Sequence, residues 1–339
     1  MKALQLREVG SISVTDLDDP IPDGADLLVE VTAAGMCGSD RHLVSGEYPG
    51  QPPVILGHEF EGVVLGGATD ERVKVGDRVT VDPNIPCGVC LFCVRGLVAH
   101  CSNLSAYGVD RDGGFAQLVR ARASQAHVIS PTVPELHGAL SEPLSCCLRG
   151  MDHANVQPGD RVAVIGGGVM GQLLVQLVRM AGATEVILST RQQARRDLAE
   201  SLGATKSIDP SDQDPRDVIA AAGGLVPGGV DIVLDAAGAA GSFEQALSIV
   251  RPAGTVVVVG AAPQDLQAQI SPFDIFAREL RILGSHLNPF THARAAALIA
   301  TGALQIAALI TRVVDLDELS KALQRSAEPG DVKILVKPS

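Results

Sequence analysis

The chain has 339 residues, 46% hydrophobic and 19% charged, so it can bury a sizeable core, and its length suggests two domains or one large one. A formal net charge of −12 disfavours nucleic acid or an anionic membrane as a partner. The sequence shows no apolar run typical of a signal peptide or a membrane span, so we expect a cytoplasmic protein whose thiols stay reduced.

The first 150 residues favour short strands separated by glycine-containing turns. Residues 27–32 and 78–81 are rich in β-branched side chains, and glycines stand between such runs. This pattern predicts an irregular, β-rich domain.

A loop at about 84–104 carries four cysteines with two, two and seven residues between them. Short Cys-x-x-Cys steps allow one loop to supply several corners of a zinc tetrahedron. An iron–sulfur cluster is the main alternative, but the last gap is long and no proline follows the final cysteine. Disulfides are disfavoured in a reducing compartment. The predicted structural zinc ligands are Cys87, Cys90, Cys93 and Cys101.

From about residue 161 the pattern changes to near-continuous apolar strands that alternate with helices. Such alternation is typical of a parallel sheet covered on both faces. The predicted strands are 161–166, 185–190, 230–235, 255–260 and 280–285. A last apolar run, 332–336, is a candidate for a strand that returns to the first domain.

Residues 166–171 (GGGVMG) fit the pattern G-x-G-x-x-G between a predicted strand and an amphipathic helix. Glycines there permit a tight turn and let backbone N–H groups approach a pyrophosphate at the helix N-terminus. A purely structural turn is the alternative. The residues expected at the dinucleotide are Gly166, Gly168, Val169, Met170 and Gly171.

The end of the second predicted strand indicates which dinucleotide is bound. Ser189, Thr190 and Arg191 stand where an NAD-binding protein usually places an acidic residue, and Arg195 follows one helical turn later with Arg196 beside it. Hydroxyl and guanidinium groups suit a 2′-phosphate, whereas a carboxylate would repel it. We therefore expect NADP(H), although arginines are also common on a solvated helix face.

Several motifs occur together in the order of one known family. They are CGSD-x-H at 37–42, GHE at 57–59, the cysteine loop, Glu142-Pro143 and the glycine turn. Taken together the chain resembles, over essentially its whole length, the zinc-dependent medium-chain dehydrogenases/reductases, and most closely their polyol (sorbitol) dehydrogenase branch.

The resemblance implies an α/β protein with a GroES-like, β-rich catalytic domain and a doubly wound, parallel-sheet Rossmann domain. The expected limits are 1–152 for the catalytic domain, 153–286 for the NADP-binding domain, and 287–339 for a C-terminal return to the catalytic part.

The resemblance also implies a second, catalytic zinc that keeps one position open for a hydroxyl or carbonyl oxygen. Its implied ligands are Cys37, His58 and a glutamate, either Glu59 or Glu142, between which the sequence does not decide.

Three further residues receive implied roles at that site. Ser39 would hydrogen-bond the reacting oxygen, His42 would pass the proton to solvent, and Asp40 would orient His58. Asp40 and His42 as ordinary turn residues are the alternative. Candidates for lining the cleft near the nicotinamide or the substrate are Asn288, Phe290, Tyr48 and Phe115.

The expected reaction is hydride transfer between NADP(H) and a secondary alcohol or ketone of a polyol, sugar or cyclitol, in an enzyme with two zincs per chain. The alternatives are a simple secondary-alcohol or threonine-type amino-alcohol dehydrogenase, an NAD-preferring polyol dehydrogenase, a zinc-free quinone or enoyl reductase, and a non-enzymatic binding protein. We expect a small-molecule substrate, neither nucleic acid nor membrane as a partner, and a homodimer or homotetramer.

Overall fold

The structure, a computed structural model, describes residues 1–68, 71–221, 228–239, 241–326 and 328–338. It divides into two compact units: unit 1 comprises Met1–Ser145 with Asn288–Ser339, and unit 2 comprises Cys146–Leu287. The first division falls inside the helix Ser141–Ala154, a few residues before the domain limit expected from the sequence.

The first segment of unit 1 is built mainly from short strands. Its elements are β1 (Lys2–Glu8), β2 (Ser11–Asp16), β3 (Asp26–Gly35), α1 (Gly38–Ser45), β4 (Val54–Ile55), β5 (Glu59–Gly67), β6 (Arg78–Val81), β7 (Asn84–Ile85), α2 (Leu91–Val94), β8 (Ser105–Ala106), β9 (Leu118–Arg122), β10 (Ala126–Val128) and α3 (Ser141–Ala154). Short 3-10 helices cover Val98–His100, Ala123–Gln125 and His137–Leu140.

Unit 2 alternates strands and helices. After the C-terminal part of α3 come β11 (Arg161–Ile165), α4 (Val169–Met180), β12 (Glu185–Ser189), α5 (Gln193–Ser201), β13 (Lys206–Ile208), α6 (Pro215–Ala221), β14 (Val230–Asp235), α7 (Ser242–Ile249), β15 (Val250–Val258), α8 (Pro272–Ala277) and β16 (Arg281–Gly284). The limits of five of these strands lie within five residues of those that apolar runs predicted, and β13 was not predicted.

The strands of unit 2 form one parallel sheet in the order β13-β12-β11-β14-β15-β16. Counted along the chain this is the 3-2-1-4-5-6 order of a Rossmann fold, with the reversal between β11 and β14. The central strands β11, β12 and β14 are buried almost throughout because helices cover the sheet. The predicted fold class is confirmed.

The C-terminal segment belongs to unit 1. It contains α9 (His292–Ala300), a 3-10 helix (Ile306–Leu309), β17 (Ile310–Val314), α10 (Leu316–Leu323) and β18 (Lys333–Val336). The main sheet of unit 1 runs β10-β6-β5-β3-β18-β17, with β9 also paired to β3. The C-terminal strand β18 therefore lies directly beside β3, antiparallel to it.

Aliphatic side chains form most of the core of unit 1, together with Phe60 and Phe115, which are fully buried. Tyr107 packs edge-on against Phe60 with ring centroids 6.2 Å apart. None of the described helices is both long and apolar enough to cross a membrane.

Candidate active site and cofactor site

Strand register in unit 1 brings three potential metal ligands together. Gly35 at the end of β3 is paired with Glu59 at the start of β5. Cys37 follows Gly35 by two residues and His58 directly precedes Glu59, so both lie near this end of the strand pair. A Cβ at Gly35 would lie 2.1 Å from Oε2 of Glu59, so only glycine leaves room for this carboxylate. One ligand atom each from Cys37, His58 and Glu59 all lie within 4.8 Å of one another.

Asp40 holds two of these residues in place. Its Oδ2 accepts a hydrogen bond of 2.8 Å from the backbone N–H of Cys37, and its Oδ1 lies 3.4 Å from Nδ1 of His58. The other ring nitrogen, Nε2, lies 3.4 Å from Oγ of Ser39, which donates a 3.1 Å hydrogen bond to Sγ of Cys37. A carboxylate on Nδ1 orients an imidazole so that Nε2 can ligate a metal.

The charges around this group favour a cation. Burial alone lowers the pKa of His58, but the Asp40 carboxylate and the Cys37 thiolate outweigh it, so its pKa lies well above the ordinary value. Without a metal, the site therefore stabilises a positive charge on the imidazole.

Lys333, the first residue of β18, is a functional residue that the sequence reasoning missed. Its Nζ lies 2.5 Å from Oε2 of Glu59 and donates a 3.0 Å hydrogen bond to the carbonyl of Met36, and both partners of the ion pair are 1% exposed. Burial lowers the pKa of Lys333, but Glu59, Cys37 and Glu142 raise it above its usual value, so the lysine stays charged. A lone lysine in the apolar run 332–336 was the available signal.

The residues present fit a zinc ion. Lys333 satisfies Oε2 of Glu59, whereas Oε1 is buried and has no hydrogen-bond partner in the part of the chain that the structure describes. A thiolate, an imidazole and a carboxylate are the donors that zinc accepts, and three protein ligands leave one position open. Glu142, the other candidate, is the second residue of α3 and lies outside this three-residue group. The geometry thus favours Glu59.

His42 lies on α1, three residues after Ser39, and so on the same side of the helix. Its Nδ1 lies 2.5 Å from Oε2 of Glu47, and its side chain is half-exposed. The half-exposed imidazole of His42 thus lies one helical turn from Ser39, whose hydroxyl contacts Cys37 and His58.

The four cysteines of the loop converge as predicted for a metal centre. The sulfur pairs Cys87–Cys93 and Cys90–Cys101 are each 4.0 Å apart. Zinc–sulfur bonds of 2.3 Å place tetrahedral sulfurs roughly 3.8 Å apart, whereas a disulfide requires about 2.05 Å. Backbone N–H groups of Cys93 and Ser102 lower the pKa of Cys90 to about 6, whereas burial raises the pKa of Cys93 to about 12. Without a metal, the negative charge of the loop is therefore favoured on Cys90 rather than on Cys93.

Three glycines of the turn after β11 are suited to their positions for different physical reasons. Gly166 has φ of 101°, a left-handed conformation. A Cβ on Gly171 would lie 1.8 Å from the carbonyl oxygen of Gly166, so α4 packs against the turn only with glycine there. Gly168, the N-cap of α4, faces open space and no side chain caps the helix, so its first N–H groups, beginning at Val169 and Met170, are available to a pyrophosphate.

The residues at the end of β12 and after it, which were predicted to recognise a 2′-phosphate, differ in their contacts and in their exposure. A Cβ on Gly167 would lie 2.8 Å from Cγ2 of Thr190, so Thr190 lies directly against the glycine turn. Ser189 is buried, and its Oγ accepts a 2.7 Å hydrogen bond from Gln245, so this hydroxyl is already used within the fold. Arg191 is exposed, and Arg195 lies on α5 with its carbonyl bound by Gln172, 2.8 Å away.

Asn288 is placed in a buried polar network of unit 1. Its Nδ2 donates to Oγ of Ser145 at 2.8 Å and its Oδ1 accepts from Asn84 at 2.7 Å, so this side chain is already hydrogen-bonded within unit 1. The expectation that Phe115 faces the substrate was wrong, because its ring is fully buried against Gly57. Tyr48 and Phe290 are exposed.

Family models match both parts of the chain. Residues 23–131 match the alcohol dehydrogenase GroES-like domain, and residues 169–301 match the zinc-binding dehydrogenase domain. The structure is also similar to that of a protein from Sinorhizobium meliloti 1021 described as a zinc-binding dehydrogenase and solved with NADP bound. The TM-score is 0.97, with 50% identity over 99% of each chain.

Curated relatives agree with these matches. D-arabinitol dehydrogenase 1 of Uromyces fabae is 33% identical over 100% of this chain and 97% of its own length. D-altritol 5-dehydrogenase of Agrobacterium fabrum is 33% identical over 98% of both proteins. The chain therefore belongs to the zinc-dependent medium-chain dehydrogenases/reductases, in the branch of the polyol dehydrogenases. It is an oxidoreductase of the NAD(P)-dependent alcohol dehydrogenase type.

Proposed function

We propose that the protein binds two zinc ions per chain and transfers hydride between NADP(H) and a secondary alcohol or ketone of a polyol, sugar or cyclitol. The observation that carries this proposal is the convergence of Cys37, His58 and Glu59, with the unpartnered Oε1 of Glu59 beside a thiol and an imidazole. The similarity to enzymes named for D-arabinitol and D-altritol supports a polyol substrate.

When bound, zinc would supply a Lewis acid for the substrate oxygen, and NADP⁺ would accept the hydride. Side chains of unit 1 would transfer the proton of the substrate hydroxyl to solvent. We expect Oγ of Ser39, 3.1 Å from Sγ of Cys37, to accept the proton of the substrate hydroxyl while it releases its own proton toward His42. His42, whose Nδ1 contacts Glu47, would take up that proton on Nε2 and pass it to solvent. Asp40 keeps Cys37 and His58 in position.

The preference for NADP(H) is supported by the residues that follow β12 and by the NADP bound in the 50% identical structure. Thr190 packs against Gly167, so a carboxylate at 190 would lie beside the adenosine ribose and repel a 2′-phosphate. We expect Thr190→Asp to shift the ratio of kcat/KM for NADP⁺ over NAD⁺ by about tenfold or more toward NAD⁺. An unchanged ratio would contradict the NADP(H) assignment.

Metal analysis with two matched variants tests the site assignments. We expect two zincs in the purified protein, one zinc and no turnover in Cys37→Ala, and one zinc with a less stable fold in Cys93→Ser. A wild-type protein without zinc would contradict the proposal. Equal losses of turnover and of stability in the two variants would contradict the separate roles of the two sites.

A substrate panel tests the reaction itself. Polyols, simple secondary alcohols and L-threonine are offered with NADP⁺ and with NAD⁺, and nicotinamide reduction is followed by absorbance. We expect the highest kcat/KM with a polyol and NADP⁺. A preference for L-threonine would instead support an amino-alcohol dehydrogenase, and no reduction with any substrate would favour a binding protein.

We also propose that copies of the chain associate through unit 2. Strand β16 is an edge of the sheet, and Phe273 and Phe276 on the preceding helix α8 are both more than 70% exposed. Unpaired edge strands and exposed aromatic side chains are typical of association surfaces. Light scattering should give a multiple of the 35.1 kDa chain mass, and a monomer would contradict this proposal.

A further inference from the structure

We propose that Arg196 is a positioning residue for NADP(H) selectivity: with Asp209 it fixes the loop Thr190–Gln192, here called the ribose loop, in the conformation that receives a 2′-phosphate. The inference rests on the proposed use of NADP(H). In the sequence, Arg196 lies near Arg191 and beside Arg195, which suggests that it binds the phosphate. The inference assigns it a different role.

The guanidinium of Arg196 contacts the ribose loop and its neighbours. The two hydrogens of Nη1 are shared among three acceptors, the carbonyl of Thr190 at 2.7 Å, the carbonyl of Arg191 at 2.8 Å and Oδ2 of Asp209 at 2.8 Å. Nη2 donates to Oε1 of Gln193 at 2.7 Å. Its side chain is only 12% exposed. Because these contacts hold the mostly buried guanidinium against the ribose loop and Asp209, they favour a positioning role over that of a phosphate ligand.

Asp209 anchors the arginine from the next strand. It follows β13, and its Oδ1 accepts a 2.9 Å hydrogen bond from the backbone N–H of Ser211. This N–H and the Arg196 guanidinium lower the pKa of Asp209, so the carboxylate stays charged at neutral pH. The N–H of Thr190 also donates to the carbonyl of Ile208 at 3.0 Å. The ribose loop is thus tied to the end of β13 by its backbone and by the ion pair.

Arg196 and Asp209 neutralise each other, so the pair adds little net charge near the ribose loop. The pair instead fixes the orientation of two backbone carbonyls, because the oxygens of Thr190 and Arg191 both bind the guanidinium. Their negative partial charge is compensated there, so it does not repel a neighbouring phosphate. The exposed Arg191 and the hydroxyl of Thr190, packed against Gly167, then keep fixed positions. Because a 2′-phosphate needs several donors at once, loss of this order should weaken its binding more than that of a 2′-hydroxyl.

The test compares two adenosine fragments that differ at the 2′ position. Adenosine 2′,5′-bisphosphate and adenosine 5′-monophosphate are titrated into the full-length, zinc-loaded protein by isothermal calorimetry, since the chain has no tryptophan for quenching. We expect Arg196→Gln to weaken the bisphosphate about tenfold and the monophosphate by less than about twofold.

Arg251→Gln is the matched control. Arg251 pairs with Asp231 at 2.6 Å and donates to the carbonyl of Pro252, but it lies at the start of β15, away from the carboxyl ends of the strands where a dinucleotide binds. It should lower the melting temperature without changing the ratio of the two affinities. If Arg196→Gln does not fold, Asp209→Asn replaces it, and the same selective loss is expected.

The outcomes separate this inference from the proposed function. If the wild-type protein binds the bisphosphate no better than the monophosphate, the NADP(H) assignment is wrong and the inference falls with it. If the wild type prefers the bisphosphate and a folded Arg196→Gln or Asp209→Asn variant keeps that preference, the NADP(H) assignment stands and the positioning role is refuted.

Discussion

Replacement of Lys333 by methionine should destabilise unit 1 strongly, because it leaves Glu59 as a buried carboxylate without its counter-charge. The ammonium lies 2.5 Å from Oε2 of Glu59 and is 1% exposed. Removing one partner of such a pair costs about 3–5 kcal/mol. For a unit of about 200 residues this corresponds to a fall in melting temperature of about 7–12 °C.

The assay is thermal unfolding by circular dichroism of the protein after zinc chelation. A double-mutant cycle with Glu59→Gln isolates the pair, since the neutral amide should remove most of the penalty and give a coupling of about 2 kcal/mol or more. Lys321→Met, at an exposed position of α10, is the control and should change the melting temperature by about 1 °C or less. If Lys333→Met costs the same with glutamate and with glutamine at 59, the buried ion pair does not contribute and the reasoning is refuted.

Two further predictions concern the glycine turn and a buried acid. Gly171→Ala would place Cβ 1.8 Å from the Gly166 carbonyl and should unfold unit 2, whereas Gly168→Ala, with no atom within 4 Å of its Cβ, should keep the melting temperature but weaken NADPH binding, measured by nicotinamide fluorescence. Equal effects on both properties would contradict this difference. Burial raises the pKa of Asp82 from 3.8 to about 6, so the stability it contributes at low pH is lost as the pH rises from about 4 to 6. Asp82→Asn should flatten that part of the urea-midpoint profile and raise the midpoint at pH 7. An unchanged profile would show that Asp82 ionises normally.

Many features of the fold could be predicted from the sequence because the strongest patterns are local. Strand limits in unit 2 follow from apolar runs, and strand 230–235 agrees with β14. The glycine turn and the cysteine loop are set by short spacings, which fix backbone geometry within a few residues. The grouping of Cys37 with His58 needed the family resemblance, since a lone cysteine or histidine carries no such signal.

Contacts between segments far apart in the chain could not be predicted from the sequence and are seen in the tertiary structure alone. The proximity of Glu59 to Cys37 and His58 depends on the pairing of β3 with β5, and the Lys333–Glu59 ion pair joins residues 274 positions apart through β18. Arg196 reads in the sequence as one more arginine, but it acquires its partner Asp209 only when β13 is placed beside β12. Strand register and buried charge pairing depend on the whole sheet, so no local pattern can specify them.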